Sequence, residues 1–386
     1  MTDVNISDTR KFRTKQEFKD KANPKGKSYI MALDVGYSAV KAFYESGYFC
    51  FPSYVRRLDR EPNIASEDDI LYRDLDTKKL YIIGRTAQKM VTSTDANDAD
   101  SEMFSRKRYY KEHFKVLCNA ALALMLSKKK DERPVKLITG LPSAYLNADK
   151  KDFEKALRKS SRFEIKKGIS TWKTFDLAMD SMPISIIAQP AGSMTSAIVK
   201  NNGEYVADVM QYLYKNILVI DFGFGTMDFY GVQNRTPVCM DSKENMGMYE
   251  VLKQTSQRIL KEYNEDIRVQ GLQNNLETGV VTHVDEDTLQ SDDHALAPIL
   301  VEENEDVFKK AMQAAKEVTN AFRDYDYLIV GGGTGEAWFE KIKAYLSGLK
   351  RLRVISANQN CKELPMIYAN VRGYYMTGYF EEQMKG

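Results

Sequence analysis

Cysteine and histidine are both scarce in this sequence of 386 residues. The four cysteines include no CxxC pair, and the three histidines are not spaced like a metal-binding pair. Zinc ribbons and iron–sulfur sites usually carry such pairs, so the composition argues against both. We expect the cysteines, at positions 50, 118, 239 and 361, to be reduced and buried.

Long apolar runs are also missing. None approaches the ~20 residues that a membrane-spanning helix needs, and the N-terminal stretch has no apolar core of the kind found in signal peptides. Lysine and arginine number 56 against 54 aspartates and glutamates, a net charge of +2 that gives no global attraction to nucleic acid or to membranes. We therefore expect a soluble, cytoplasmic protein that binds no membrane and no specific DNA sequence directly.

The balanced charge hides two uneven segments. Residues 1–28 contain eight Lys and Arg against four Asp and Glu and few apolar anchors, which predicts a mobile basic arm. That arm is either a solubilising tail or a contact for a partner or neighbouring subunit. Residues 269–308 contain no Lys or Arg and many carboxylates, which is typical of solvated acidic surface or of an acidic contact patch.

Apolar periodicity predicts helices alternating with short buried strands, as in an α/β protein. The chain length suggests two or three domains. The predicted helices cover about 104–126, 147–160, 247–263 and 305–322.

One strand–turn–strand pattern occurs twice. An apolar strand ends in Asp34 and continues as DVGYSAVK, and a second ends in Asp221 and continues as DFGFGTMD. A strand ending in Asp places a carboxylate at the carboxyl edge of a sheet, where ligand crevices form, and the following glycines let backbone N–H groups approach phosphates. Two facing carboxylates can hold Mg²⁺ through water. The repeat predicts two related α/β domains with a cleft between them.

A third glycine-rich turn follows the apolar strand 327–330 and reads GGGTGE. Strand, glycines and helix form a pattern that contacts nucleotides. A dinucleotide-binding GxGxxG motif would need glycine at position 336, where Glu336 stands, so that interpretation is disfavoured.

With these motifs in this order, residues 29–380 resemble the actin-like ATPases, and among them the ParM-like bacterial plasmid-segregation proteins. The segments 34–41 and 221–228 resemble the first and second phosphate loops, and 331–333 the adenosine loop. ITGLP at 138–142 resembles the first connecting strand, and ANVRGYY at 369–375 the C-terminal signature. Tyr37 departs from actin, which has a small hydroxyl residue there.

The resemblance implies an α/β fold of two RNase H-like domains, each with a smaller inserted subdomain, around a nucleotide cleft. Its domains would be 29–195 with an insertion at about 53–105, and 196–365 with an insertion at about 241–325. A C-terminal helix, 366–386, would return to the first domain.

The resemblance also implies a site for ATP, with GTP possible, and Mg²⁺. Asp34 and Asp221 would hold the ion through water, and Gln189 would orient the attacking water, which makes these three the candidate catalytic residues. Glu250 and Lys253 are candidate ribose or base contacts. The remaining expected nucleotide contacts are Gly36, Tyr37, Ser38, Lys41, Gly223, Phe224, Gly225, Thr226, Asp228, Gly331, Gly332, Gly333 and Thr334.

The function that the resemblance implies is a filament-forming ATPase that moves plasmid DNA through a DNA-binding adaptor protein. ATP would favour assembly of the chain with copies of itself, and hydrolysis would favour disassembly. Two alternatives stay open at this stage. One is a small-molecule kinase or phosphatase of the same superfamily, and the other is a nucleotide-regulated scaffold with little turnover.

Overall fold

The computed structural model describes residues 6–63, 65–91 and 105–384. The strands are β1 Glu17–Asp20, β2 Tyr29–Val35, β3 Ala39–Tyr44, β4 Gly47–Pro52, β5 Val55–Leu58, β6 Ile70–Asp74, β7 Leu80–Ile83, β8 Val135–Leu141, β9 Ser161–Lys167, β10 Lys173–Leu177, β11 Ile184–Ala188, β12 Ile217–Phe222, β13 Thr226–Gln233, β14 Thr236–Glu244, β15 Val280–Val284, β16 Ser291–Ala295, β17 Tyr327–Gly331 and β18 Arg353–Ser356.

The α-helices are α1 Arg85–Lys89, α2 Glu112–Leu126, α3 Leu146–Leu157, α4 Gln189–Ile198, α5 Val209–Tyr214, α6 Met248–Tyr263, α7 Val269–Thr278, α8 Ala297–Val318, α9 Gly333–Tyr345 and α10 Ala369–Met384. Short 3-10 helices occupy Ile6–Phe12, Arg108–Tyr110, Ser143–Tyr145, Asn320–Phe322 and Met366–Tyr368. Within these described residues, no helix is long and apolar enough to cross a bilayer.

Apart from an extra edge strand, β1, in the first, the two central sheets share one strand order. The first runs β1-β4-β3-β2-β8-β11 and the second β14-β13-β12-β17-β18. In both, a meander of antiparallel strands is followed by two parallel strands. β2 and β12 are wholly buried in the middle of their sheets, which explains their continuous apolar sequence. The repeat predicted from the two Asp-x-Gly turns is therefore present in the topology.

A further five-stranded sheet, β10-β9-β6-β7-β5, adjoins the first central sheet. The insertion predicted at 53–105 supplies only part of it, because β9 and β10 come from 161–177. Its residues 64 and 92–104 lie outside the described residues. On the other side, α7, α8 and the hairpin β15–β16 fall within the stretch 241–325 where the second insertion is proposed.

Two of the four predicted helices, 147–160 and 247–263, agree with the structure to within a few residues. The main difference is the helix expected over 104–126, since α2 begins only at Glu112 and a separate 3-10 turn precedes it. The helix expected over 305–322 starts earlier, at Ala297, because Pro298 occupies its first turn, where proline is tolerated.

The molecule has two halves, one built on each central sheet, and the C-terminal helix α10 packs on the first half. It packs against α4 and against β2 and β8 of the first central sheet. Arg372 is fully buried in this contact and donates to the carbonyls of Ser196 and Val199. The last two residues of the predicted segment 366–386 lie outside the described part of the chain.

The N-terminal segment differs from the predicted mobile arm in the residues that the structure describes, 6–28. Strand β1 pairs with β4 and so covers the edge of the first central sheet. Phe18 packs on Phe49, with ring centroids 5.3 Å apart, and the Asn23 side chain donates to the Tyr44 carbonyl. Backbone pairing at an exposed sheet edge anchors a segment that has few apolar residues of its own. Residues 1–5 lie outside the description.

Candidate functional site

The two Asp-x-Gly turns close in the same way. The N–H of Gly36 donates to the Ala39 carbonyl over 2.9 Å, and the N–H of Gly223 donates to the Thr226 carbonyl over 2.9 Å. Each turn directly follows the central strand of its sheet, so the two aspartates lie at corresponding edges. Two phosphate-loop candidates therefore arise from one local geometry.

The first turn brings three predicted residues together. The hairpin register places Lys41 opposite Asp34, and its Nζ lies 2.7 Å from Asp34 Oδ2. Gln189, the first residue of α4, donates from Nε2 to Asp34 Oδ1 over 3.2 Å. Asp34 is 3% exposed, so the carboxylate is held by a cation and an amide in place of bulk water. Such an arrangement keeps a charged lysine and a neutral amide beside the same carboxylate.

Asp221 is buried, and the described residues give a hydrogen-bond partner to only one of its two carboxylate oxygens. The side-chain amide of Asn370 donates to Oδ2, and Ser193 Oγ donates to Asn370 Oδ1, which fixes that amide's orientation. Among the described residues, Asp221 Oδ1 has no hydrogen-bond partner. Burial raises the pKa of Asp221 most, and the charge of Asp34 raises it further, while Asn370 and Lys41 lower it. A cation or an ordered water at Oδ1 would relieve this cost.

Asp228 links the two halves at the floor of the cleft. One oxygen accepts from the N–H of Ser143 in the first half and from Ser242 Oγ, and the other accepts from Thr226 Oγ1 over 2.8 Å. Burial raises the pKa of Asp228 to about 7, and the nearby Asp221 adds to the shift. This carboxyl therefore changes its charge near neutral pH.

Replacing Asp228 with asparagine should flatten the pH dependence of stability. The pKa of Asp228 in the folded state lies above its unfolded value of about 4. The contribution of this carboxyl to the free energy of unfolding is therefore fully present below pH 4. It is lost as the pH rises to 7, by about 1.4 kcal/mol per pH unit. The asparagine side chain would still accept a hydrogen bond from the N–H of Ser143. Because it does not ionise, its stability would not fall over this pH range. The measurement is urea unfolding of the nucleotide-free protein from pH 4.5 to 8. The free energy of unfolding of wild type should fall relative to that of Asp228→Asn up to pH 7, and the two should then change in parallel.

The control for that comparison is Asp292→Asn, which removes an exposed carboxylate from β16. The free energy of unfolding of this variant should change with pH as that of wild type does, from pH 4.5 to 8. Wild-type and Asp228→Asn profiles that stay parallel from pH 4.5 to 8 would contradict the assignment of this titration to Asp228.

The third glycine-rich turn packs directly on the second. Gly332 has φ +83° and ψ 163°, and a Cβ there would collide with Asp221 Oδ1 and the Phe222 carbonyl. Thr334 Oγ1 donates to the Gly223 carbonyl over 2.7 Å and accepts from the N–H of Met248. These bonds place the N-terminus of α9, a site suited to anions, at the same edge as Asp221.

The three turns open onto one cavity of about 750 Å³. Most of the predicted site residues line it: Asp34, Gly36, Tyr37, Ser38, Lys41, Gln189, Asp221, Gly223, Phe224, Thr226, Asp228, Gly332, Gly333 and Thr334. The wall residues come from both halves of the molecule, so the cavity lies between them.

Four predicted residues do not line the cavity as described: Gly225, Gly331, Glu250 and Lys253. Gly225 lies against the Tyr37 ring, and Gly331 pairs with Asp221 in the sheet register. Glu250 and Lys253 face each other on α6, with Lys253 Nζ 3.7 Å from Glu250 Oε2. Their roles as ribose or base contacts stay predictions.

Arg108 and Asn370 are among the site residues that the sequence did not indicate. Arg108 donates to the Gly36 carbonyl over 3.1 Å, and its guanidinium lies 4.1 Å from the centre of the Tyr37 ring. It thereby braces the first turn, and the basic and aromatic cluster at 106–110 was the available signal. Asn370 stands inside the C-terminal motif, but nothing local marks it as the partner of Asp221.

The residues present fit a nucleotide with Mg²⁺. Backbone turns suited to phosphate, the half-buried Lys41 and the unpartnered Asp221 Oδ1 meet in one cavity. In the described ranges, no cluster of three or more His, Cys, Asp or Glu could hold a metal ion by itself. An ion bound here would therefore need oxygens from water and phosphate, which is the usual coordination of Mg²⁺.

The fold is that of the actin-like proteins. Residues 32–192 match the family model described as the N-terminal domain of actin-like proteins. The predicted resemblance and the predicted fold class are both confirmed. No curated protein matches the chain in sequence.

Solved structures agree over almost the whole chain. A 15-stranded ParM filament from Clostridium botulinum is 18% identical with a TM-score of 0.69, and a non-polymerisable quadruple mutant of pCBH ParM is 19% identical with a TM-score of 0.68. The archaeal actin homologue Ta0583 in complex with ADP is 15% identical with a TM-score of 0.61. Each match covers 91% of this chain and 99% of the other. At these identities the likeness establishes the actin-like fold.

Proposed function

We propose that the chain is an ATP-dependent, filament-forming protein of the cytoplasm that segregates plasmid DNA through an adaptor protein. The observation that carries the proposal is the cavity lined by two equivalent turns, one from each half, together with the buried Asp221. The filament structure among the similar proteins, and the ADP complex of another, support self-assembly and nucleotide binding respectively.

Each group of site residues has its own role in ATP hydrolysis. N–H groups of both turns bind phosphate oxygens, and Lys41 neutralises negative charge on them. Mg²⁺, when bound, supplies further charge neutralisation at the phosphates, with Asp34 and Asp221 holding it through water. Gln189 orients the attacking water, a role that requires positioning more than basicity. GTP would satisfy the same phosphate contacts, so it is a possible substrate.

Hydrolysis would couple to assembly through the angle between the two halves. Both halves hold the phosphates, so losing the terminal phosphate removes contacts that favour closure. Subunits that stack head to tail make heterologous contacts, which extend without closing into a ring. A closed, triphosphate-bound subunit would favour this stacking. A subunit that has opened after hydrolysis would dissociate from the filament.

The test combines light scattering with phosphate release on the purified chain, with ATP, GTP, ADP or no nucleotide, each with Mg²⁺. Scattering should rise only with a triphosphate and should decay as phosphate accumulates. Negative-stain microscopy of the same samples should show filaments. Absence of polymer at high protein concentration with every nucleotide would overturn the filament proposal.

Two other outcomes would favour the alternatives. Phosphate transfer to a small-molecule acceptor without polymer would indicate a kinase, and nucleotide binding without turnover would indicate a scaffold. The plasmid role needs a separate reconstitution, in which a DNA-binding adaptor links the filament to plasmid DNA.

A further inference from the structure

The N-terminal segment 9–17 crosses from one side of the cleft to the other. On the second half, Thr9 Oγ1 donates to the Leu276 carbonyl over 2.8 Å, and the N–H of Thr14 donates to Gln273 Oε1 over 3.1 Å. Both acceptors belong to α7. The beginning of the segment is thus fastened to the inserted part of the second half.

Its other end is fastened to the first half. Gln16 Nε2 donates to the Asp68 carbonyl over 2.7 Å, and Gln16 Oε1 accepts from the N–H of Arg85 over 2.9 Å. Glu17 then begins β1 in the first central sheet. The chain between these anchors, residues 11–15, lines the same cavity as the phosphate turns.

Arg13 has hydrogen-bonding capacity that the described residues leave unused. Its side chain is only 9% exposed, and Nη1 forms an ion pair with Glu277. Nε and Nη2 are buried and have no hydrogen-bond partner among the described residues. A buried guanidinium with two unpartnered donors is costly, and an anion is the ligand that its planar geometry fits best.

The surroundings of Arg13 are also cationic. Burial is the main cause that lowers the pKa of Arg13, and repulsion from Arg85 and Arg10 lowers it further. Lys11 and Lys15 line the cavity beside it. Glu277, the ion-pair partner of Arg13, is half exposed.

We propose that Arg13 is an anion-binding residue for the phosphates of the nucleotide in the cleft, held over it by a segment anchored to both halves. This inference rests on the proposed nucleotide-binding function and adds a contact from outside the three turns.

The test compares binding of ATP and of adenosine by titration calorimetry, using wild type and Arg13→Ala, with GTP and guanosine in their place if only GTP binds. Arg13→Ala should weaken nucleoside triphosphate binding at least about tenfold, because a charge-assisted contact is lost. Binding of the nucleoside, which has no phosphate, should stay within about twofold. Arg13→Gln is the second variant if Arg13→Ala does not fold.

Two control variants separate phosphate binding from a structural role. Arg10→Ala removes an exposed arginine of the same segment that donates to the Glu277 carbonyl, and Glu277→Gln removes the ion-pair partner. Both should keep the wild-type affinity for the triphosphate. Equal affinities for wild type and Arg13→Ala would overturn the inference alone, as would equal losses for triphosphate and nucleoside. Failure of wild type to bind any nucleotide would overturn the proposed function with it.

Discussion

Gly332→Ala is expected to lower the free energy of unfolding by at least about 3 kcal/mol and to abolish nucleotide binding. Its backbone, at φ +83° and ψ 163°, lies in a region that is nearly restricted to glycine and costs about 1–3 kcal/mol for other residues. The added Cβ would also collide with Asp221 Oδ1 and with the Phe222 carbonyl. Relief of that collision would have to displace the carboxylate or the second turn.

The measurement is urea unfolding of the nucleotide-free protein together with triphosphate binding. Gly348→Ala is the matched control, since a Cβ at that position meets nothing within 4 Å. Gly333→Ala provides a second comparison for stability, because its Cβ would make only an ordinary contact, 3.6 Å from Ile367. If Gly332→Ala unfolds at the urea concentration of wild type and binds nucleotide normally, the close packing of the third turn on Asp221 is not required.

The parts of the site that could be predicted from sequence are those made by neighbouring residues. Asp34 and Lys41 stand seven positions apart because they face each other across one tight hairpin. Asp221 and Asp228 repeat that spacing and face each other across the second. Apolar strands, glycine turns and spacing of this kind are local signals, and they were enough to indicate the repeated fold and most of the cavity wall.

The parts that could not be predicted depend on contacts between distant residues. Asn370 reaches Asp221 across 149 positions, and Thr9 reaches Leu276 across 267. The N-terminal segment was expected to be mobile because its composition is polar, but its described residues are held by backbone pairing at a sheet edge, which composition does not reveal. The second part of the five-stranded sheet, at 161–177, was missed for the same reason.

Gln189→Ala is expected to slow phosphate release by about 100-fold while filaments still form. An amide that positions the attacking water contributes mainly to the hydrolytic step, and losing a positioned group typically costs a factor of this order. The fold should tolerate the change, because Asp34 loses one hydrogen bond over 3.2 Å but keeps its ion pair with Lys41. Nucleotide binding should remain within a few-fold of wild type.

The measurement follows phosphate release and light scattering in the same sample, with Gln313→Ala as control. Gln313 is an exposed glutamine on α8 whose amide donates to Glu317 Oε1, and it lies outside the cavity, so its loss should change neither signal. In the Gln189→Ala protein, scattering should stay high for as long as hydrolysis is delayed. Phosphate release at the wild-type rate would refute the role of Gln189. Slow release with scattering that still decays at the wild-type rate would instead show that disassembly does not depend on hydrolysis, which would leave nucleotide binding alone to control the filament.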